Sequence, residues 1–368
     1  MTEYLKIEYT GCVMDVASFR PSKGQTEWHL ILHPSAEDCF ETQYINLKNA
    51  LNAFISKKGC ASPVFMRWFL SDSANQQKTV EKDEFGCAVS IVEQPPLDGT
   101  KVNLWVWLAE DAETRKNNGL WEADFAGARH LWTAKDCRTD GDSEAQTAEM
   151  FKDYSTMLEE RGCSLKNNCI RTWLFVQNID VNYKGVVKGR REYFTENGLT
   201  ADTHYIASTG IAGRVAAAES KVIMDTYAVE GISESQIHFL KGASHLNPTH
   251  EYGVTFERGT AVDHADRRHV FISGTASINN KGEVVHTGDI IGQTRRMIEN
   301  VGVLLKEAKC GFEDIAQIIV YLRDMSDYKR VAEIIKEQFP AHPKTFLWAP
   351  VCRPGWLVEM ECIAVKEL

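Results

Sequence analysis

The 368-residue sequence lacks several features, and each absence excludes a class of protein. No apolar run approaches the ~18 residues a membrane helix needs, so no membrane partner is expected. The opening segment, MTEYLKIEYTGC, has neither a basic nor an apolar leader region, so a secretory signal is not expected and a cytoplasmic location is. Positive charge is in deficit: 41 Lys and Arg face 51 Asp and Glu, a formal net charge of −10. Phosphate backbones are held by clustered cations, so a nucleic-acid partner is not expected either. The basic clusters present are short: Lys188-Gly189-Arg190-Arg191, Arg267-Arg268 and Arg295-Arg296. They read first as solvated surface, with a local pocket for a small anion as the alternative. The 10 cysteines form no CxxC pair and no paired Cys/His spacing. Neither a disulfide framework nor a metal site is expected; the thiols read as reduced and buried.

What is present is the composition of a packed protein, 43% apolar with 10% aromatic. The length exceeds one ordinary core and suits two or three units. Three segments repeat one pattern: an amphipathic helix, a cysteine-bearing turn, then an apolar strand. They are QYINLKNALNAFISKKGC before SPVFMRWFL, SEAQTAEMFKDYSTMLEERGC before CIRTWLFVQNI, and GQTRRMIENVGVLLKEAKC before IAQIIVYLRD. Tyr44, Leu47, Leu51, Phe54 and Ile55 recur at helical spacing in the first, as do Met297, Ile298, Val301, Leu304, Leu305 and Ala308 in the third. Ser143 and Gln146 suggest a capping box on the second. Two further strands follow in each copy: CAVSIVEQ and KVNLWVWLAE, HYIASTG and KVIMDTYA, TFLWAPV and WLVEMECIAV. The expected fold class is therefore α+β, built from tandem units over 1–120, 121–240 and 250–368. Polar stretches at Asp111–Gly119 and Lys135–Asp142 read as linkers, and KGASHLNPT at Lys241–Thr249 as a connector. Trp68, Trp105, Trp107 and Trp173 fall in strand patterns and read as core.

Four places carry candidate chemistry. In LVEMECIAV, alternation puts Glu359 and Glu361 on one face of an apolar strand, where two unpaired carboxylates raise each other's pKa. Exposure or ion pairing of both is the plainer reading. Arg353, just before this strand, offers a planar fork to a carboxylate or a salt bridge to a nearby acid. In ASTGIAGR, Ser208, Gly210 and Arg214 combine hydroxyl, glycine and cation at a strand end, suited to an anion or to an ordinary turn. It is no dinucleotide fingerprint, since GIAG lacks the GxGxxG spacing. Ser273-Gly274-Thr275 is a second glycine-bearing strand end.

The third repeat resembles the RidA/YjgF family. The run HVFISGTASINNKGEVVHTGDIIGQTRRMIENVGVLL, then IVYLRD and LVEMECIAV, matches its strand ending in SG, its GD…Q…N…L helix, its strand ending near RD and its terminal VEIE-like strand. Members are typically homotrimers that bind small carboxylates between subunits, and archetypes hydrolyse imines. Over more of the chain the sequence resembles the chorismatases, single chains of this fold. The likeness lies in SGTASI (Ser273–Ile278), CRPGWLVEME (Cys352–Glu361), YIASTGIAGR (Tyr205–Arg214), RTWLFVQNI and REYF. The carboxylate-binding Arg of RidA deaminases is missing, since its place reads Pro343-Lys344-Thr345.

The resemblance implies a chorismate-mutase-like fold of three RidA-like units, a pseudo-trimer in one chain, either a monomer or a homo-oligomer. It implies a hydrolase that splits chorismate, a small dianion, into pyruvate and a dihydroxycyclohexadiene or a hydroxybenzoate. Glu359 is then the catalytic acid, with Glu361 supporting or structural. Arg353, Arg214, Tyr205 and Ser208 would hold substrate, with Gly210, Arg171, Ser273, Gly274 and Thr275 contributing. Cys352 would be a pocket wall whose identity, with Ala276, bears on the product. Gln293 matches the family's helix glutamine. No cofactor is required, because protonation and water addition suffice. Two other readings stand beside this one: an imine deaminase with Arg353 replacing the missing Arg, and a non-catalytic small-carboxylate binder.

Overall fold

A computed structural model describes residues 2–368. The first unit runs β1 (Thr2–Tyr9), β2 (Cys12–Phe19), β3 (Glu27–Pro34), α1 (Phe40–Lys58), β4 (Ala61–Leu70), α2 (Ser73–Val80), β5 (Ala88–Glu93) and β6 (Val102–Glu110). The second runs β7 (Glu113–Asn117), β8 (Leu120–Phe125), β9 (Ala128–Cys137), α3 (Ser143–Glu159), the short α4 (Leu165–Asn168), β10 (Cys169–Val176), α5 (Ile179–Glu196), β11 (Ala207–Ala212) and β12 (Val222–Glu230). The third runs β13 (Ile237–Leu240), β14 (Gly259–Asp263), β15 (Arg267–Ala276), α6 (Ile290–Glu307), β16 (Ile315–Leu322), α7 (Tyr328–Gln338), β17 (Lys344–Trp348) and β18 (Val358–Glu367).

Each unit forms a six-stranded sheet of identical order: β1-β2-β3-β6-β4-β5, β7-β8-β9-β12-β10-β11 and β13-β14-β15-β18-β16-β17. Only the outermost pair in each, β4·β5, β10·β11 and β16·β17, is parallel, because a helix must carry the chain back between those strands. The three helix–Cys–strand repeats thus occupy equivalent places, and the α+β reading holds. The unit joins move, however. Glu113–Asn117 pairs within the second sheet, and Ile237–Leu240, placed in the second unit by sequence, pairs within the third. The stretch Asp111–Gly119 is no linker: β7 is an exposed edge strand, and its polarity answers to solvent on both faces. Lys135–Cys137 likewise closes β9.

Apolar faces of all three sheets meet in a shared core where Trp105, Trp107, Trp132, Trp173, Tyr227 and Phe271 interlock. Helices cover the outer faces: Trp68 packs in a separate layer with Tyr44, Leu47, Leu51 and Phe54 of α1. Two local expectations change. The cap of α3 is Asp142, whose carboxylate accepts from Glu144 and Ala145 N–H, while Ser143 Oγ donates to Asn182 O at 2.9 Å, so no capping box forms. Arg267 is not surface: it is fully buried, pairing at 3.1 Å with Glu27, which also meets His269 at 2.9 Å and so ties the first sheet to the third. Among the described residues no helix is long and apolar enough to cross a membrane.

Candidate active site

Between the second and third units lies a cavity. The β11 edge and α5 supply Tyr183, Arg190, Ser208 and Gly210; the third unit supplies Arg258, Gly274, Cys352, Arg353, Trp356 and Glu359. The sheets meet directly beside it, with Ile211 bridging Val351. A β-bulge builds the floor. Between Ile272↔Cys362 and Thr275↔Met360, two residues of β15, Ser273 and Gly274, oppose the single residue Glu361. A Cβ on Gly274 would overlap the Glu359 carboxyl group, so any side chain there would displace it.

The two strand glutamates part company. Glu361 is held by Arg171 Nη2 at 2.8 Å, Trp173 Nε1 at 2.9 Å and Thr209 Oγ1 at 2.5 Å, a set of donors that anchors its carboxyl group in the core. Glu359 is 3% exposed and has no hydrogen-bond partner among the described residues. Burial, reinforced by the Glu361 charge, pushes its pKa from an ordinary 4.5 up to about 8, against the opposing pull of Arg171 and Arg258. At neutral pH it is therefore a protonated acid facing a cavity.

Around that acid stand three guanidinium groups without a carboxylate partner. Arg190 donates from Nη1 to Ser208 Oγ at 3.2 Å, while its buried Nε and Nη2 have no partner. Arg258 donates from Nη2 to Asn247 O at 2.9 Å and leaves Nε unpaired. Arg353 donates to Tyr252 O at 3.2 Å and lies over the Tyr252 and Trp356 rings at 5.0 and 5.4 Å. The Tyr252 hydroxyl and Trp356 Nε1 are also unsatisfied. Buried donors without acceptors are costly unless a ligand completes them, and these ask for an anion. Gln293 of α6 steadies the loop carrying Arg353: Nε2 donates to Gly355 O and Oε1 accepts from Leu357 N, both at 3.0 Å. Burial holds the Cys352 thiol up at about 12, so it is a neutral wall rather than a nucleophile.

The candidates named from sequence distribute unevenly. Glu359, Arg353, Cys352, Ser208, Gly210 and Gly274 share the cavity. Ser273 lies beneath it, donating to Glu257 O at 2.6 Å and accepting from Ser208 N at 2.9 Å. Thr275 is turned away, donating to Ser273 O. Arg171 faces the core, because alternation along β10 sends it with Trp173 toward Glu361. Arg214 is elsewhere: it is half-exposed, pairs with Glu93 of the first unit at 2.6 Å and lines a different groove. Tyr205 opens on a separate pocket beside Lys241, its N–H donating to Glu257 at 2.8 Å. Arg190 carried a signal that charge masked. Val186, Arg190 and Phe194 recur at i, i+4, i+8 and all are buried, so Arg190 lies on the inner stripe of α5 while Lys188 and Arg191 point out. Arg258, Tyr183, Tyr252 and Trp356 have no such signal.

The other two clefts are not equivalent. The second residue of the terminal strand is Glu359 in β18, Asn103 in β6 and Ile223 in β12; the fourth is Glu361, Trp105 and Asp225. Asn103 is spent on neighbours, donating to Asp98 at 3.0 Å and Thr345 at 3.1 Å. Asp225 pairs with Arg67 at 2.8 Å. Among the described residues, one of these three equivalent places holds a buried acid without a hydrogen-bond partner.

This architecture, three repeated sheets in one chain with an acid and three arginines lacking carboxylate partners in one inter-unit cleft, defines a fused pseudo-trimeric fold. It is the fold of a crystal structure of a chorismatase, which superposes with TM-score 0.66 over 82% of this chain and 93% of that one at 20% identity. Residues 259–366 match the Endoribonuclease L-PSP family model. A RutC family protein of Pyrococcus abyssi is 37% identical over 101 residues, 27% of this chain and 79% of the relative. The chain belongs, through its third unit, to the RutC family. A 3-hydroxybenzoate synthase of Streptomyces hygroscopicus is 28% identical over 242 residues, 58% of this chain and 68% of that protein.

Proposed function

We propose that the chain is a chorismatase-like enzyme: it cleaves the enolpyruvyl ether of chorismate, with Glu359 as the acid. The carrying observation, among the described residues, is a buried carboxyl without a hydrogen-bond partner in one cavity with three arginines that have no carboxylate partner; burial raises the pKa of that carboxyl. Those cations suit a dianion, and a neutral acid among them suits an enol ether that must be protonated on carbon. Glu359 gives its proton to the terminal vinyl carbon, leaving an oxocarbenium ion. Water adds to that ion and returns a proton to Glu359; the hemiketal then loses the ring alcohol as its C–O bond breaks, giving pyruvate. Chorismate plus water yields pyruvate and a dihydroxycyclohexadiene acid; the same split without net water yields pyruvate and a hydroxybenzoate. Arg190, Arg258 and Arg353 bind the two carboxylates, and Tyr252 and Trp356 supply further donors. The relative that is a 3-hydroxybenzoate synthase and the chorismatase fold support this substrate. The missing strand arginine at Lys344 speaks against an imine deaminase, and a pure binding protein has no need of an unpaired buried acid.

The test is pyruvate release from chorismate by the wild type and by Glu359→Gln, with product identification. Release by the wild type only, with the variant still binding chorismate, supports the reading. Imine hydrolysis instead, or binding without turnover, refutes it.

A further inference from the structure

A second, more open hollow adjoins the cavity, sharing Tyr183, Tyr252, Val254, Cys352 and Arg353 with it. Its outer rim is one face of α5: Lys184, Val187, Lys188 and Arg191 stand at i, i+3, i+4 and i+7. The lining holds four cations, counting Arg353, and no acid. Lys188 is engaged by Glu144 at 2.5 Å and Glu192 at 3.7 Å. Lys184 and Arg191 are exposed and, among the described residues, form no ion pair. In a chain of net charge −10, this is a local inversion of sign in the hollow beside the acid's cavity.

We propose that this α5-lined hollow is the entrance to the active site, an electrostatic vestibule in which Lys184 and Arg191 capture a small dianion and pass it between Tyr252 and Cys352 to Arg353, Arg190 and Arg258. The dianionic nature of the ligand rests on the chorismate reading; the sign and position of the entrance rest on the lining. Concave surfaces of one sign raise the arrival rate of an opposite charge by ~10- to 1000-fold, and the gain falls with salt. Arg190 and Arg258 are buried and do not face bulk solvent, so steering has to begin on the exposed cations of the rim, Lys184 and Arg191 with Arg353 behind them.

Cys352 lies at the junction of the two spaces and reports passage without turnover. Its modification by the dianion dithiobis-nitrobenzoate is compared with that by neutral dipyridyl disulfide, read by mass on the Cys352 peptide. The thiol's burial slows both reagents, so the anion-to-neutral ratio isolates charge. In the wild type the ratio falls as salt is raised. In Lys184→Glu/Arg191→Glu it drops about tenfold at low salt and loses its salt dependence, whereas Lys184→Arg/Arg191→Lys keeps it. In parallel, kcat/KM for chorismate falls about five- to tenfold in the charge-reversed variant, mostly at low salt. A ratio indifferent to both charge reversal and salt overturns the vestibule even if chorismate is turned over. A ratio that responds while chorismate is not cleaved upholds the vestibule and sinks the substrate instead.

Discussion

Glu359→Gln tests the acid through stability as well as through rate. In the native protein this carboxyl keeps its proton up to about pH 8, while in the unfolded chain it ionises near 4.5. A raised native pKa means that the unfolded state has lost the proton between those values and the native state has not. Stability therefore falls as pH rises through that window, by ~1.4 kcal/mol per pH unit, and levels off above about pH 8. At pH 7 the cost of holding the wild-type proton is about 3 kcal/mol. Glutamine, nearly isosteric and uncharged, does not carry that cost. The variant is thus expected to be about 3 kcal/mol more stable than wild type at pH 7, roughly a 4 °C rise in Tm for a chain of this size, and equal to it near pH 4.5. Activity moves the opposite way: turnover falls ~100- to 10,000-fold, and wild-type kcat/KM declines above about pH 8, where the acid is lost. Calorimetry across pH 4.5–9 beside a coupled pyruvate assay reads both. A variant that is destabilised at pH 7, or a wild-type rate that climbs through pH 8, would refute a protonated Glu359.

The arginines, the floor and the second carboxylate give further tests. Arg190→Ala or Arg258→Ala should raise KM for chorismate about tenfold or more without lowering ligand-free stability, since each removes an unpaired buried cation; Arg214→Ala should leave KM unchanged. Glu361→Gln should cost ~3–5 kcal/mol in urea unfolding, because Arg171 is left without its counter-charge, and should move the alkaline limb of the rate profile to lower pH by removing the charge that raises Glu359. Gly274→Ala should cost ~1–3 kcal/mol and displace the Glu359 carboxyl, lowering kcat more than KM rises. Calorimetric titration of Glu359→Gln with chorismate should give one site per chain; two or three would mean that the Asn103 and Ile223 clefts also bind.

Strand and helix periods carried much of this molecule. The apolar stripes of α1 and α6 place two of the outer helices, and alternation in β18 puts Glu359 and Glu361 on one face. What alternation cannot say is which neighbour each carboxylate meets. Arg171, Trp173 and Thr209 reach Glu361 from another unit, more than 150 residues away in the chain, and leave Glu359 alone. The arginines failed for a related reason. Arg214 follows a glycine-rich strand end that looks like an anion cradle, yet the strand runs on to the first unit and delivers it to Glu93. Arg190 sat inside a basic run read as solvated, although its phase on α5 is that of Val186 and Phe194. Arg258 enters the cavity because the segment before β14 pairs with the start of β11, Glu257 beside Ala207, a tertiary event with no local pattern. The hairpin at β7 was lost because an edge strand exposed on both faces has the composition of a linker.

Fusion explains why the first two repeats are so much harder to read than the third. In a homotrimer one gene sets all three clefts, so any residue needed in one appears in each. Joined in a single chain, the units are free to differ, and position by position they have. Where β18 presents Glu359, β6 presents Asn103, absorbed into bonds with Asp98 and Thr345, and β12 presents Ile223, which simply packs. Where β18 presents Glu361, β12 keeps a carboxylate, Asp225, but uses it to bind Arg67, while β6 fills the place with Trp105. Two of the clefts have become core and seam, and their polar groups now hold the units together. That cohesion lets the remaining cleft keep what a stable core does not tolerate: an unpaired acid and arginines without a carboxylate partner. The unpaired groups have to stay in one place, and the loss of the family signature in the first two units follows from the same division of roles.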